Sequence, residues 1–188
     1  MTVLMRASDV RGLPVVTIVG GEDVAEVRDV IYHRERGDLL GFTLNKRGGL
    51  LRGRLREVLL AENVTAIGRD AVMILDEHSC LVSPRDAPAA IGRPEEDRNV
   101  LGNAVVTDAG VRLGTVTDLV LRVGGHGEVV GYEIRREGSK ETWFVPRPAQ
   151  LAVSGTALMV PNDIEQYARQ DLSGFATALD DYGGTGSR

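Results

Sequence analysis

The sequence predicts an all-β protein built as two small β-barrels in tandem, followed by a C-terminal amphipathic helix. Three observations predict it. Short segments rich in Val, Ile, Leu and Thr alternate with Gly, Asp and Asn along most of the chain, as strands and turns do. That pattern occurs twice, in one order. Between the copies, three of the seven prolines fall within residues 84–94, where neither a helix interior nor a central strand can form.

The first copy covers residues 5–81, the linker 82–98 and the second copy 99–161. Gly12 and Val15-Val16-Thr17 are echoed by Gly102 and Val105-Val106-Thr107, the first strand of each copy. Val27-Arg28-Asp29-Val30-Ile31 is echoed by Val116-Thr117-Asp118-Leu119-Val120, the second strand. Leu39-Leu40-Gly41-Phe42-Thr43-Leu44 returns as Val129-Val130-Gly131-Tyr132-Glu133-Ile134, the third. Asp70-Ala71-Val72-Met73-Ile74 returns as Thr156-Ala157-Leu158-Met159-Val160, the last. Ordered matches of this kind mark an internal repeat. Gly20-Gly21-Glu22-Asp23 and Gly110-Val111-Arg112-Leu113-Gly114 turn the first strand into the second, and Gly124-Gly125-His126-Gly127 turns the second into the third. Gly41 and Gly131 stand inside the third strand, where a missing side chain permits a bulge or the tight bend of a small barrel. Closure is expected, because sheets this small otherwise leave edges open.

After Pro161, Asn162 reads as a helix cap, with Asp163 and Glu165 at the positive end of the dipole. Ile164, Tyr167 or Ala168, Asp171 or Leu172, Phe175 and Leu179 recur at helical spacing, which predicts a helix over 162–180. Ser173-Gly174 is expected to bend or break it. The last stretch, 181–188, reads as a disordered tail.

Composition narrows the function. With 43% hydrophobic and 26% charged residues, the chain buries a core. A single cysteine, Cys80, excludes an internal disulfide framework. No apolar run approaches the ~18–20 residues needed to span a bilayer. The opening Met1–Arg6 meets a charge too early for a signal peptide, so the cytoplasm is the expected location. The net charge of −5 gathers in the tail, since residues 161–188 hold five acids against two bases. Neither copy carries the overall basic field of a dedicated nucleic-acid binder.

A strand, a Gly turn, Val-x-Asp-Leu/Val with further apolar residues, a Gly-rich turn and then apolar-Gly-aromatic together resemble the PRC-barrel family. The second copy is the better match, through Val105–Thr107, Gly114–Val120, Glu128–Tyr132, Trp143-Phe144-Val145-Pro146 and Gly155–Val160. The first copy departs, with Val24 or Ala25 in place of Gly114 and Leu59-Leu60 in place of Val145-Pro146. The resemblance implies a binding fold and brings no catalytic motif. Family members include the cytoplasmic part of the photosynthetic reaction centre H subunit and the C-terminal half of the ribosome maturation factor RimM. This sequence shows neither the membrane anchor of the first nor the RNA-related domain of the second, so neither function carries over.

Candidates for chemistry are few. Glu77-His78-Ser79-Cys80 sets a base, a hydroxyl and a thiol side by side, but it also reads as a strand end entering the linker, and no nucleophile motif accompanies it. His33, His78 and His126 have no ligand spacing, and no phosphate-cradling glycine string occurs, so no metal or cofactor is expected. Residues 46–56 form the one basic stretch. Arg47, Arg52, Arg54 and Arg56 there suit phosphates of RNA or a lipid headgroup, or else simply a solvated face between buried leucines. Trp143 beside Phe144 puts one aromatic into the barrel and one outward, as an interface anchor or as packing against the helix. Tyr167 and Phe175 give the tail an apolar face that docks a partner or a second subunit, or folds back on the barrels. The expectation is a non-enzymatic interaction or adaptor module. The alternative is an RNA- or ribosome-associated factor using 46–56. Peripheral association with a membrane complex and homodimerisation through the tail are further readings.

Overall fold

The computed structural model describes residues 3–33, 38–47, 53–89, 91, 100–149, 152–154 and 156–185. The first copy supplies β2 (Pro14–Thr17), β3 (Asp23–Tyr32), β4 (Leu39–Lys46), β5 (Arg54–Leu60), β6 (Val64–Ile67), β7 (Val72–Ile74) and β8 (Leu81–Val82), with a short helix α2 (Glu77–Cys80) before the last. The second supplies β9 (Ala104–Thr107), β10 (Arg112–Val123), β11 (Glu128–Arg135), β12 (Thr142–Pro146), β13 (Ala152–Ser154) and β14 (Ala157–Val160). Each copy folds into its own barrel-like sheet, in the order β6-β7-β2-β3-β4-β5-β8 and β12-β11-β10-β9-β14-β13. In both, a late strand lies parallel to the first, β7 on β2 and β14 on β9, while every other pairing is antiparallel.

The repeat holds down to the register. Ile31 faces Gly41 and Gly41 faces Leu60; Val120 faces Gly131 and Gly131 faces Pro146. Both second strands bulge just before their aspartate, between Val27 and Asp29 and between Val116 and Asp118. In each bulge the aspartate's Oδ1 accepts the next backbone N–H, from Val30 at 2.9 Å and from Leu119 at 2.8 Å. The Val-x-Asp motif is thus the side-chain pin of a bulge, and bulges sharpen the twist that curls each sheet. Close backbone approach explains the third-strand glycines: a Cβ on Gly131 would lie 2.5 Å from the Val145 carbonyl oxygen, and one on Gly41 would overlap the Leu59 carbonyl.

The copies share one continuous core, in which Val15, Phe42, Leu44 and Leu59 of the first join Val105, Leu119, Tyr132 and Leu158 of the second. The hairpin of the second copy seats on the end of β6, with Gly124 N–H donating to Ile67 O at 3.0 Å and Ile67 N–H to Gly125 O at 3.1 Å. His126 Nδ1 lies 2.5 Å from Val64 O, which calls for the Nδ1–H tautomer. In return, the Tyr32 hydroxyl of the first copy accepts the Val100 N–H of the second. Burial pushes the Tyr132 phenol above its usual range, so it stays neutral within this core.

The N-terminus departs from the simple tandem. Strand β1 (Val3–Arg6) pairs with Val120–Val123 of β10, not with its own copy. The reason is length: β9 covers only Arg112–Thr115 of the twelve-residue β10, leaving its far half an open edge. Helix α1 (Ala7–Val10) then carries the chain back. Arg6 fixes the crossing, donating from Nε to Glu133 Oε2 at 2.5 Å with its guanidinium 5.0 Å over the Phe144 ring. This hydrogen bond raises the Arg6 pKa, and Glu133 is mostly buried, with its other oxygen taken by Thr117 at 3.0 Å. Arg6→Ala is expected to cost about 1–2 kcal/mol in denaturant unfolding, a figure kept low because Arg6 remains partly in solvent. Glu133→Gln should restore part of that loss in the Arg6→Ala background by removing the stranded charge.

The tail differs from the expected single helix over 162–180. Asn162–Tyr167 is a 3-10 segment, the chain is extended at Ala168, and the helix proper, α3, runs Leu172–Thr185. Asn162 lies inside the 3-10 segment, whose cap position falls on Pro161 without a side-chain bond; the helix is capped by Asp171, its Oδ1 accepting Gly174 N–H at 2.8 Å. Ser173 and Gly174 therefore start the helix and do not break it. The helix continues through 181–185, part of the stretch read as disordered. Arg169 interrupts the helical run because it bridges to β12, with Phe144 N–H on Arg169 O at 2.6 Å and Arg169 N–H on Phe144 O at 3.0 Å. Among the described residues no helix is long and apolar enough to cross a membrane.

Candidate interaction surfaces

The basic stretch does not act as one patch. Arg47 is held by acids of the neighbouring strand, with Nε 2.7 Å from Asp23 Oδ2 and Nη1 3.2 Å from Glu26 Oε2. Arg52 lies outside the described residues. Arg54 and Arg56 are exposed two residues apart on β5, hence on one face. With Arg85, Ser83 and Pro84 of the linker and Glu57, they wall an open groove of about 790 Å³. Arg85 escaped the sequence reading because it is remote in the chain, and only the pairing of β8 with β5 brings the linker alongside.

The aromatic candidates are consumed by internal packing. Phe144 and Phe175 are both fully buried, their rings 5.9 Å apart, in a cluster with Val120, Val130 and Leu179. Phe175 is therefore the plug that seats α3 on the second barrel and no part of a docking surface. The periodicity found the right residues, and the face they form points inward. Trp143 packs against the main core on one side and is covered on the other by the Arg136 guanidinium, 4.3 Å above its ring. Tyr167 meets Tyr182 edge-on at 5.0 Å, and burial raises the Tyr182 phenol pKa.

Glu77-His78-Ser79-Cys80 is a single capped helical turn. Asp76 accepts the Ser79 N–H at 2.9 Å and the Ser79 hydroxyl at 2.5 Å, so the hydroxyl's hydrogen is spent on Asp76, with Cys80 Sγ 3.6 Å from its oxygen. These two bonds hold the Asp76 carboxyl below its usual range. Cys80 is a buried free thiol, with its carbonyl on Asn63. At the seam between the copies, a cavity of about 70 Å³ is lined by Asp29, Asp118, Arg11 and Thr43. Arg11 is paired with Asp29 at 2.8 Å and Ser8 N–H donates to Asp118 at 3.3 Å, which occupies those carboxylates structurally. The described residues contain no cluster of three or more metal-ligating side chains.

With the two sheets, their common register and their decorated surfaces in view, the comparison with known families is decisive: the PRC-barrel domain matches the chain twice, over residues 3–77 and again over 95–166. The chain belongs to the PRC-barrel domain family. No curated protein matches it in sequence. The two matches place both PRC barrels where the internal repeat does. The first match begins at residue 3, so it includes the strand that this chain lends to the second barrel.

One surface of the first PRC barrel was not foreseen from sequence. Ile18 N–H donates to Ile74 O at 2.8 Å and Val19 N–H to Leu75 O at 3.2 Å, which joins the β2–β3 turn to the residue after β7. Ile18, Val19 and Leu75 then stand together and exposed, by 50%, 76% and 53% of their surface. The second barrel makes the same contact through Asp108 N–H to Val160 O at 3.0 Å, and it carries Asp108, Ala109 and Pro161 at these positions. A signal existed in the Ile18-Val19 pair ahead of Gly20-Gly21, but nothing in the sequence ties Leu75 to it.

Proposed function

We propose that this PRC-barrel pair is a non-enzymatic protein-interaction module of adaptor type, acting in the cytoplasm. The observation that supports it best is the apolar trio Ile18, Val19 and Leu75, exposed where two backbone hydrogen bonds tie the turn of the first barrel to the end of β7. Clustered apolar side chains lose little entropy on docking when the backbone beneath them is already fixed, and exposed apolar patches of this kind mark contact surfaces. The second copy keeps the first of the two backbone contacts with Asp108, Ala109 and Pro161 in these places, so the fold itself does not demand the trio, although its turn exposes Val111. A second reading, an RNA- or ribosome-associated factor, draws on Arg54, Arg56 and Arg85, which are exposed along one groove.

The test is affinity capture of the tagged full chain from its own lysate, at low and high salt, with and without nuclease. Protein partners retained in all four conditions are the expected result. Ribosomal material lost with nuclease or salt overturns the reading in favour of RNA, because phosphate contacts weaken steeply as salt rises. Turnover of any substrate lost on His78→Ala or Cys80→Ala would overturn the non-enzymatic claim.

A further inference from the structure

The strand register equates the two barrels residue by residue, and at one corner their charges are opposed. Glu26 pairs with Pro14 and with Asn45 in the first barrel as Thr115 pairs with Ala104 and with Arg135 in the second. Asp23 pairs with Val16 as Arg112 pairs with Val106. So where the first barrel places two acids that close on Arg47, the second places an arginine and a threonine. The two strand acids are missing there, and the corner is an open cleft of about 490 Å³ walled by four cations, Arg112, Arg135, Arg136 and Lys140, against one acid, Glu137, with Thr115 and Thr117 beside them.

Two of the four cations have exposed acid partners, Arg112 with Glu137 at 3.0 Å and Arg136 with Glu165 at 3.2 Å. Solvent-exposed pairs like these are worth little and exchange readily for a better ligand. Among the described residues Arg135 and Lys140 have no ion-pair partner, although both are exposed at the cleft. Guanidiniums fork onto carboxylates with two parallel hydrogen bonds. The Thr115 hydroxyl accepts from Arg112 Nη2 at 3.3 Å and keeps its own hydrogen for a second oxygen, whereas that of Thr117 is spent on Glu133.

We propose that this cleft docks a short acidic segment of a partner protein, whose Asp or Glu carboxylates are taken by Arg112, Arg135 and Lys140. The proposal rests on the interaction-module reading above and names the chemistry of one partner surface. The cleft is far larger than a single oxyanion needs. A nucleic acid fits it poorly, since no aromatic lines the cleft and Trp143, which Arg136 covers, presents no free face for base stacking.

The experiment is fluorescence anisotropy of a labelled hexaglutamate peptide with the full chain at low salt. Wild type is expected to bind, and the double variant Arg135→Glu/Lys140→Glu to bind at least about tenfold more weakly with an unchanged melting temperature. Arg112→Asp/Thr115→Glu, which writes the first barrel's acids into the second, should lose binding as well. Arg47→Ala in the first barrel should leave it intact. Equal binding by wild type and both cleft variants, or no peptide binding alongside cleft-dependent binding of inorganic phosphate or an RNA oligomer, overturns the proposal. The parallel lysate capture separates it from the broader reading. If the Arg135→Glu/Lys140→Glu variant retains every partner that the wild type captures, the cleft is overturned and the module stands. If wild type captures no protein yet binds hexaglutamate through the cleft, the module reading fails and the cleft stands.

Discussion

Gly41→Ala is expected to lower stability by about 3 kcal/mol or more, enough to leave much of the protein unfolded. Two costs combine. At φ +154° the glycine backbone lies where L side chains rarely go, and the added methyl would overlap the Leu59 carbonyl oxygen. That oxygen belongs to a strand packed on both sides, between β4 and β8, so it has nowhere to retreat. Gly12→Ala is the informative control. Its φ is +85°, but nothing lies within 4 Å of the added atom. Strain alone should cost it about 1 kcal/mol, and the difference between the two variants in urea unfolding isolates the clash. A Gly41→Ala midpoint equal to that of Gly12→Ala would contradict the close-approach account of how the sheet bends.

Phe175→Ala is the second large effect, at about 3 kcal/mol. The Phe175 ring is fully buried against Phe144, and it also lies over Gly131, where a Cβ would come within 2.6 Å of the ring. The glycine that lets the third strand bend thus also makes the socket for the helix. Among the described residues, Leu172 and Leu179 are the other side chains of α3 in that cluster. Truncating the plug should therefore release the helix before it unfolds the barrels. Limited proteolysis should cut the variant within 172–185 while the barrels stay resistant. A resistant α3 and an unchanged midpoint would show that the helix is held by other contacts.

The sequence carried the repeat because the features that define it are local. Val-x-Asp pins a bulge, the apolar-Gly step permits a close approach, and both recur at fixed order, so fold class and family were readable before any pairing was known. What escaped is set by contacts distant in the chain. Four residues, Val3–Arg6, carry no pattern that assigns them to either barrel, and the uncovered half of β10 decides where they go. The basic stretch looked uniformly positive because the acids that hold Arg47 sit more than twenty residues upstream, on β3. The cleft of the second barrel was invisible for the same reason: Arg112 and Arg135 become neighbours only through the pairing of Thr115 with Arg135. The tail was read as one helix because its apolar residues keep helical spacing across Ala168–Asp171, although the Arg169 bridge to Phe144 forces the backbone out of helix there.

Capture from lysate with wild type and the triple variant Ile18→Asp/Val19→Asp/Leu75→Asp in parallel tests the interaction module most directly. These side chains are exposed, so the melting temperature should stay within a few degrees of the wild type. The account predicts that the nuclease- and salt-resistant protein partners of the wild type are lost from the variant. A folded triple variant that retains all of them would contradict the part assigned to the first barrel's apolar surface.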